Sequence, residues 1–114
     1  MIVPATDARI VITTAGAREE AEQIARTLID KRIAACVNIV PGLTSVYRWK
    51  GETESAAELL LLIKTTAESL DELEAELRRV HSYEVHELLV FTPEAAGKPY
   101  LDWLRHETNP QHQT

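Results

Sequence analysis

A lone cysteine, Cys36, rules out an internal disulfide and any zinc cluster built from several thiolates. No glycine-rich phosphate loop, His-Glu-x-x-His zinc motif or EF-hand loop occurs anywhere in the chain, so cofactor chemistry is not indicated. Long apolar runs are missing as well. The longest strongly apolar stretch, Leu59 to Ile63, falls far short of the roughly 20 residues that a membrane helix needs. Nor does a basic flank followed by an apolar block open the chain, and together these absences predict a soluble, cytoplasmic protein with no membrane partner. Positive charge is scarce: 12 basic residues face 18 acidic ones, and the net charge of −6 repels phosphate backbones. Nucleic acid is not an expected partner. A length of 114 residues suits a single domain, 1–114, with a structured core at about 8–107 and a frayed tail at 108–114.

What is present is a regular order of elements. Arg9 to Thr14 reads as a strand, with Ile10 and Ile12 on one face and Val11 on the other. From Arg18 to Ile33 the apolar residues Ala21, Ile24, Ala25, Leu28 and Ile29 form the stripe of an amphipathic helix, and Glu19 and Glu20 suit the positive end of its dipole. Ala35 to Val40, broken at Pro41-Gly42 and resumed from Ser45 to Trp49, reads as one long strand with a bend or bulge. Lys50-Gly51 turns the chain, and Ala57 to Thr65 returns as a third strand. Thr65 or Ser69 can cap a second helix, each with a glutamate three residues on, and Leu70, Leu73, Leu77 and Val80 are its buried stripe. Glu87 to Thr92 forms a fourth strand, Pro93 to Pro99 a loop, and Tyr100 to Glu107 a short last helix.

Strand, helix, strand, strand, helix, strand is the split βαβ order of an α+β ferredoxin-like fold, in which both long helices cover the same face of a four-stranded sheet. A wet opposite face would alternate apolar with polar residues, whereas Leu59-Leu60-Leu61-Leu62-Ile63 and Leu88-Leu89-Val90-Phe91 are apolar on both sides. Each leucine left in water forgoes roughly 1.5 to 3 kcal/mol. A homo-oligomer packed sheet against sheet is therefore expected.

Four blocks, Ile33-Ala34-Ala35-Cys36-Val37-Asn38-Ile39, Ser45-Val46-Tyr47-Arg48-Trp49-Lys50-Gly51, Leu62-Ile63-Lys64-Thr65 and His81-Ser82-Tyr83-Glu84-Val85, are joined by a fifth, Tyr100-Leu101-Asp102-Trp103-Leu104. In this order and spacing the chain resembles the CutA family of divalent-cation tolerance proteins from about Arg9 to Leu104. The resemblance implies a trimeric, PII-like assembly of ferredoxin-like subunits and a role in tolerance to copper and other divalent ions. It departs from the family pattern where Ser82 and His86 stand in place of two prolines, which frees φ at both positions and adds an imidazole. The thiol and paired imidazoles of family members proposed to bind copper correspond here to Thr13 and Val80-His81, so that version of the site is not carried over.

The stretch His81-Ser82-Tyr83-Glu84-Val85-His86-Glu87 is the most chemically loaded in the chain, and it falls at a helix-to-strand junction. His81 fits two roles, a neutral imidazole ligand for copper or zinc and a helix C-terminal histidine bonded to the last carbonyls. Glu84 and His86 share a face if the strand already begins there, and Glu87 takes the other. Lys64 ends an apolar strand, where it either reaches solvent or meets a small anionic ligand in a cleft. Tyr47, Trp49, Tyr83, Tyr100 and Trp103 are five of the six aromatic residues and suit subunit interfaces. Cys36 and His81 lack a visible third group that would orient a nucleophilic dyad, and no enzyme is expected. The ligand-binding set expected at inter-subunit clefts is thus Cys36, Trp49, Lys64, His81, Tyr83, Glu84 and Glu87, with His81 the expected metal contact. The alternatives are an interaction hub without a small ligand and a PII-like small-molecule sensor.

Overall fold

Thirteen residues after Gly16-Ala17, from Arg18 to Asp30, form the first helix, α1, and bury Ala21, Ile24 and Leu28 as their spacing predicts. These and the other elements belong to a computed structural model that describes residues 1–108; most of the expected frayed tail lies outside the described residues. Helix α1 stops three residues short of Ile33. Arg32 adopts a left-handed φ of 57°, and the N–H groups of Ile33 and Ala34 close on the Leu28 carbonyl, a glycine-like helix ending made without glycine. That turn drops Ile33 into the core, where it is fully buried.

The remaining elements are β1 (Ile2–Pro4), β2 (Ala8–Ala15), β3 (Cys36–Trp49), β4 (Glu52–Thr66), α2 (Leu70–Val80), β5 (Leu89–Phe91), β6 (Ala95–Gly97) and α3 (Lys98–Glu107). β2, β3, β4 and β5 form an antiparallel sheet in the order β3-β4-β2-β5. The α+β ferredoxin-like arrangement stands. Val11, Leu61 and Ile63 point to one face and pack with Ile24 and Leu28 of α1 and Leu73 and Leu77 of α2. On the other face α3 covers one end only, where Leu101 and Leu104 meet Ala5 and Ala8. No helix among the described residues is long and apolar enough to cross a membrane.

Several boundaries differ from the sequence reading. β1 pairs with β6, so order begins before residue 8 and the expected Pro93–Pro99 loop contains a strand. The fourth sheet strand is only Leu89–Phe91, which leaves residues 81–88 as a loop and removes the strand geometry expected to put Glu84 and His86 on one face. Neither Thr65 nor Ser69 caps α2. The Thr65 hydroxyl donates to the Ile33 carbonyl at 2.6 Å, and a 3-10 turn over Ala67–Ser69 leads into the helix without a side-chain cap.

β3 and β4 make a long hairpin closed by Lys50 and Gly51, both at positive φ (50° and 82°), the geometry of a two-residue turn that follows strand twist. Val40 pairs with Leu60 but Leu43 with Glu58, so β3 carries one extra residue at Pro41-Gly42, where Gly42 has φ 84°. Before this bulge the even-numbered residues of β3 lie on the α3 side of the sheet; after it the odd-numbered ones do. The same side carries Ile10, Ile12, Leu60 and Leu62, and at its edge Leu89 and Phe91 are 50% and 51% exposed in the single chain.

Candidate functional site

The loop after α2 is tied down residue by residue. The His81 N–H still bonds to the Leu77 carbonyl at 2.8 Å, and its side chain turns inward to burial. Nδ1 accepts the Tyr83 N–H at 3.0 Å, so Nε2 is the nitrogen that donates, to the carbonyl of Thr14 at 2.6 Å. The Ser82 N–H donates to Glu20 at 2.8 Å. Burial pushes the Glu20 carboxyl up, but its hydrogen bonds with Ser82 prevail and hold it below the ordinary carboxylate range. His86 stacks on His81 with ring centroids 5.1 Å apart, and burial followed by the charge of His81 depresses its pKa.

Tyr83 then reaches across Gly16. A methyl group on Gly16 would lie 2.9 Å from the phenolic oxygen, so any larger residue there makes the ring or the backbone shift. The hydroxyl donates to Glu58 Oε2 at 2.8 Å, and burial together with that carboxylate pushes the phenol up to about 12. Glu58 and Thr14 belong to a groove of about 630 Å³, a size common for small-molecule sites. Ser45, Tyr47 and Trp49 line it from β3, and Tyr83, Glu84 and Glu87 from the loop. Paired with Glu54 and Glu52 of β4, Tyr47 and Trp49 share the side of Glu58.

The expected site residues divide into two groups. Trp49, Tyr83, Glu84 and Glu87 meet at the groove, and His81 braces it from below without lining it. Cys36 and Lys64 do not join them: they pair with each other across β3 and β4 at the opposite end of the sheet, beside α3. There Lys64 hydrogen-bonds Asn38, Cys36 Sγ lies 3.8 Å from the same amide oxygen, and Lys64 borders a separate hollow with Ala8, Arg9 and Tyr100. An anionic ligand therefore finds no lysine or arginine among the groove's lining residues. Glu58, Thr14, Ser45 and Tyr47 were not among the expected site residues. Glu58 carries a usable signal, a carboxylate at the head of the strand run Leu59–Ile63 where an apolar residue would ordinarily continue the pattern.

A divalent cation bound by one chain does not fit these residues. Both His81 nitrogens are engaged, and among the described residues no three histidine, cysteine, aspartate or glutamate side chains come together as a metal-holding group.

A family model described as CutA1 divalent ion tolerance protein matches residues 9–107. The divalent-cation tolerance protein CutA of Thermus thermophilus is 46% identical over 99 residues, 87% of this chain and 96% of that protein. Its solved structure superposes with a TM-score of 0.88 over 90% of this chain and 99% of that one, at 44% identity. CutA from Synechococcus elongatus gives a TM-score of 0.92 at 38% identity, covering 96% of both chains, and has also been solved in complex with a Bis-Tris molecule. The chain spans about half of human Protein CutA, 44% identical over 88 residues, 77% of this chain and 49% of that protein.

Two further relatives correct the expectation of a cytoplasmic protein. The Archaeoglobus fulgidus CutA, 35% identical with a TM-score of 0.87 over 90% of this chain and 99% of its own, is described as periplasmic. A rice relative, 38% identical over 99 residues, 87% of this chain and 56% of that protein, is named chloroplastic. The lack of an apolar leader pattern was too weak a ground for assigning a compartment.

Proposed function

We propose, for a chain that belongs to the CutA1 divalent ion tolerance family, that it serves divalent-cation tolerance as a homotrimeric binding or signalling protein and not as an enzyme. The observation that carries this reading is the half-covered sheet. α3 shields one end of the outer face, while Leu89 and Phe91 at the edge and Tyr47 and Trp49 on the hairpin arm stay exposed in a single chain. Copies of the chain laid on that face bury the apolar side chains and turn the groove bordered by Trp49, Tyr83, Glu84 and Glu87 into a cleft between subunits. Copper and zinc enter, on this reading, as the ions to which the assembly responds, with any direct ligand set completed across subunits. Sedimentation at micromolar concentration tests the assembly, and a stable monomer refutes it. Titration calorimetry with copper and zinc on wild type and His81→Ala tests direct binding; equal heats would exclude His81 from it.

A second reading, a PII-like small-molecule sensor, is favoured by the size of the groove and by the Bis-Tris complex of the Synechococcus relative. It predicts a saturable small-molecule isotherm in the absence of any metal.

A further inference from the structure

Glu58 is a carboxylate 9% exposed, and no lysine, arginine or histidine pairs with it among the described residues. Its single recorded side-chain partner is the neutral Tyr83 hydroxyl at Oε2. Burying an ionised carboxylate without a counter-charge is costly, and one neutral hydrogen bond offsets only part of that cost. The carboxylate faces a cavity, and the groove it lines carries two more acids, Glu84 and Glu87, and no base. The walls are aromatic: Tyr47, Trp49 and Tyr83. The indole of Trp49 already holds an ammonium, with Lys50 Nζ 5.7 Å from its ring centroid.

We propose that the groove bounded by Glu58, Tyr47, Trp49 and Tyr83 binds a small organic cation, a protonated or quaternary amine seated against the Glu58 carboxylate and the aromatic faces. A bare divalent ion needs carboxylates converging within coordination distance, and within one chain these three acids do not form such a group. They are distributed around about 630 Å³, which suits a cation with a carbon body. An ammonium whose charge is spread over methyl or methylene groups loses less hydration on entry than a metal ion, and it gains from the ring quadrupoles as well as from Glu58. A phosphate-bearing ligand meets three carboxylates and no base among this chain's own lining residues. The inference rests on the reading of the groove as a ligand site and assigns the class of ligand.

The test is calorimetric titration of the whole protein with choline and with tetramethylammonium, and separately with inorganic phosphate and ATP, all at constant ionic strength, beside sedimentation of each sample. The expected result is saturable binding of the ammonium ions, none of the anions, and affinity about tenfold or more weaker in Glu58→Gln. Should Glu58→Gln fail to fold, the exposed rim variant Glu84→Gln/Glu87→Gln decides, with an expected few-fold loss. Binding of phosphate or ATP without the ammonium ions, or ammonium binding indifferent to all three acids, overturns the organic-cation assignment and leaves the groove a ligand site. If neither class binds while the protein still sediments as a trimer, the assignment and the ligand-site reading both fall and only the assembly survives.

Discussion

His81 Nε2 donates to the main-chain carbonyl of Thr14 across 2.6 Å, joining residues 67 apart in the sequence. The bond fixes the end of α2 against the end of β2 at the point where both deliver side chains to the groove. Since His81 Nδ1 also accepts from the Tyr83 N–H, one imidazole sets the path of the loop that follows. His81→Ala removes the imidazole's bonds to the Thr14 carbonyl and the Tyr83 N–H and frees that loop. Unfolding free energy by urea titration should fall by about 1 to 3 kcal/mol, and the Tyr83 phenol should lose its fixed position on Glu58.

Gly16→Ala probes the same site from the other side. Its new methyl would lie 2.9 Å from the Tyr83 oxygen, and either the ring or the β2–α1 turn must yield, at an expected cost of about 1 to 3 kcal/mol. In the wild type one tyrosine, pushed up to about 12, should resist ionisation in an ultraviolet titration. In Gly16→Ala that tyrosine should ionise earlier, and an unchanged titration would show that the contact with Glu58 survives.

Two groups give pH dependence of the same sign in different windows. His86 has a folded pKa below its ordinary 6.5, so just below that value the unfolded chain holds more protons and stability rises with pH; above 6.5 nothing further is gained. His86→Phe keeps an aromatic ring beside His81 and should flatten that segment of the profile. Glu76 is held below its ordinary 4.5 by Arg79 and then Lys31, so its contribution is present above 4.5 and is lost as pH falls through the folded value. Glu76→Gln should make the acid limb shallower, as measured by urea unfolding at a series of pH values.

The outer sheet face gives a direct assembly test. Phe91 pairs with Ile10 and Leu89 with Ile12, and both edge residues are half exposed in the single chain. Phe91→Glu or Leu89→Glu places a carboxylate where subunit burial is expected. Sedimentation should then report monomers or weakened association with the helical signal retained, since Val11, Leu61 and Ile63 on the inner face are untouched.

The order of the main elements was legible because apolar period is a local signal, whereas the capping signals at Thr65 and Ser69 misled. Ala21, Ile24 and Leu28 mark α1, and the apolar runs mark the strands. β1 and β6 were not legible, being three-residue strands containing proline, alanine and glycine whose pairing joins the two ends of the chain. Trp49, Tyr83, Glu84 and Glu87, grouped from the sequence, line one groove. Lys64 and Cys36 were grouped with them although strand arithmetic speaks against it. Trp49 pairs with Glu52, and Lys64 lies twelve residues further along β4, about 40 Å at the usual rise. Glu58 was missed because a single acid in an apolar strand reads as an interruption until its side of the sheet is known.

The register of the hairpin arm is held at its far end, by the two-residue turn at Lys50-Gly51 that sets Trp49 opposite Glu52 and Tyr47 opposite Glu54. Deleting one residue at Pro41-Gly42 would restore unbroken alternation along β3 and leave both aromatic walls beside Glu58, costing the arm only the local bend and added twist of its bulge. The groove's composition is thus written by a turn that contributes no side chain to it.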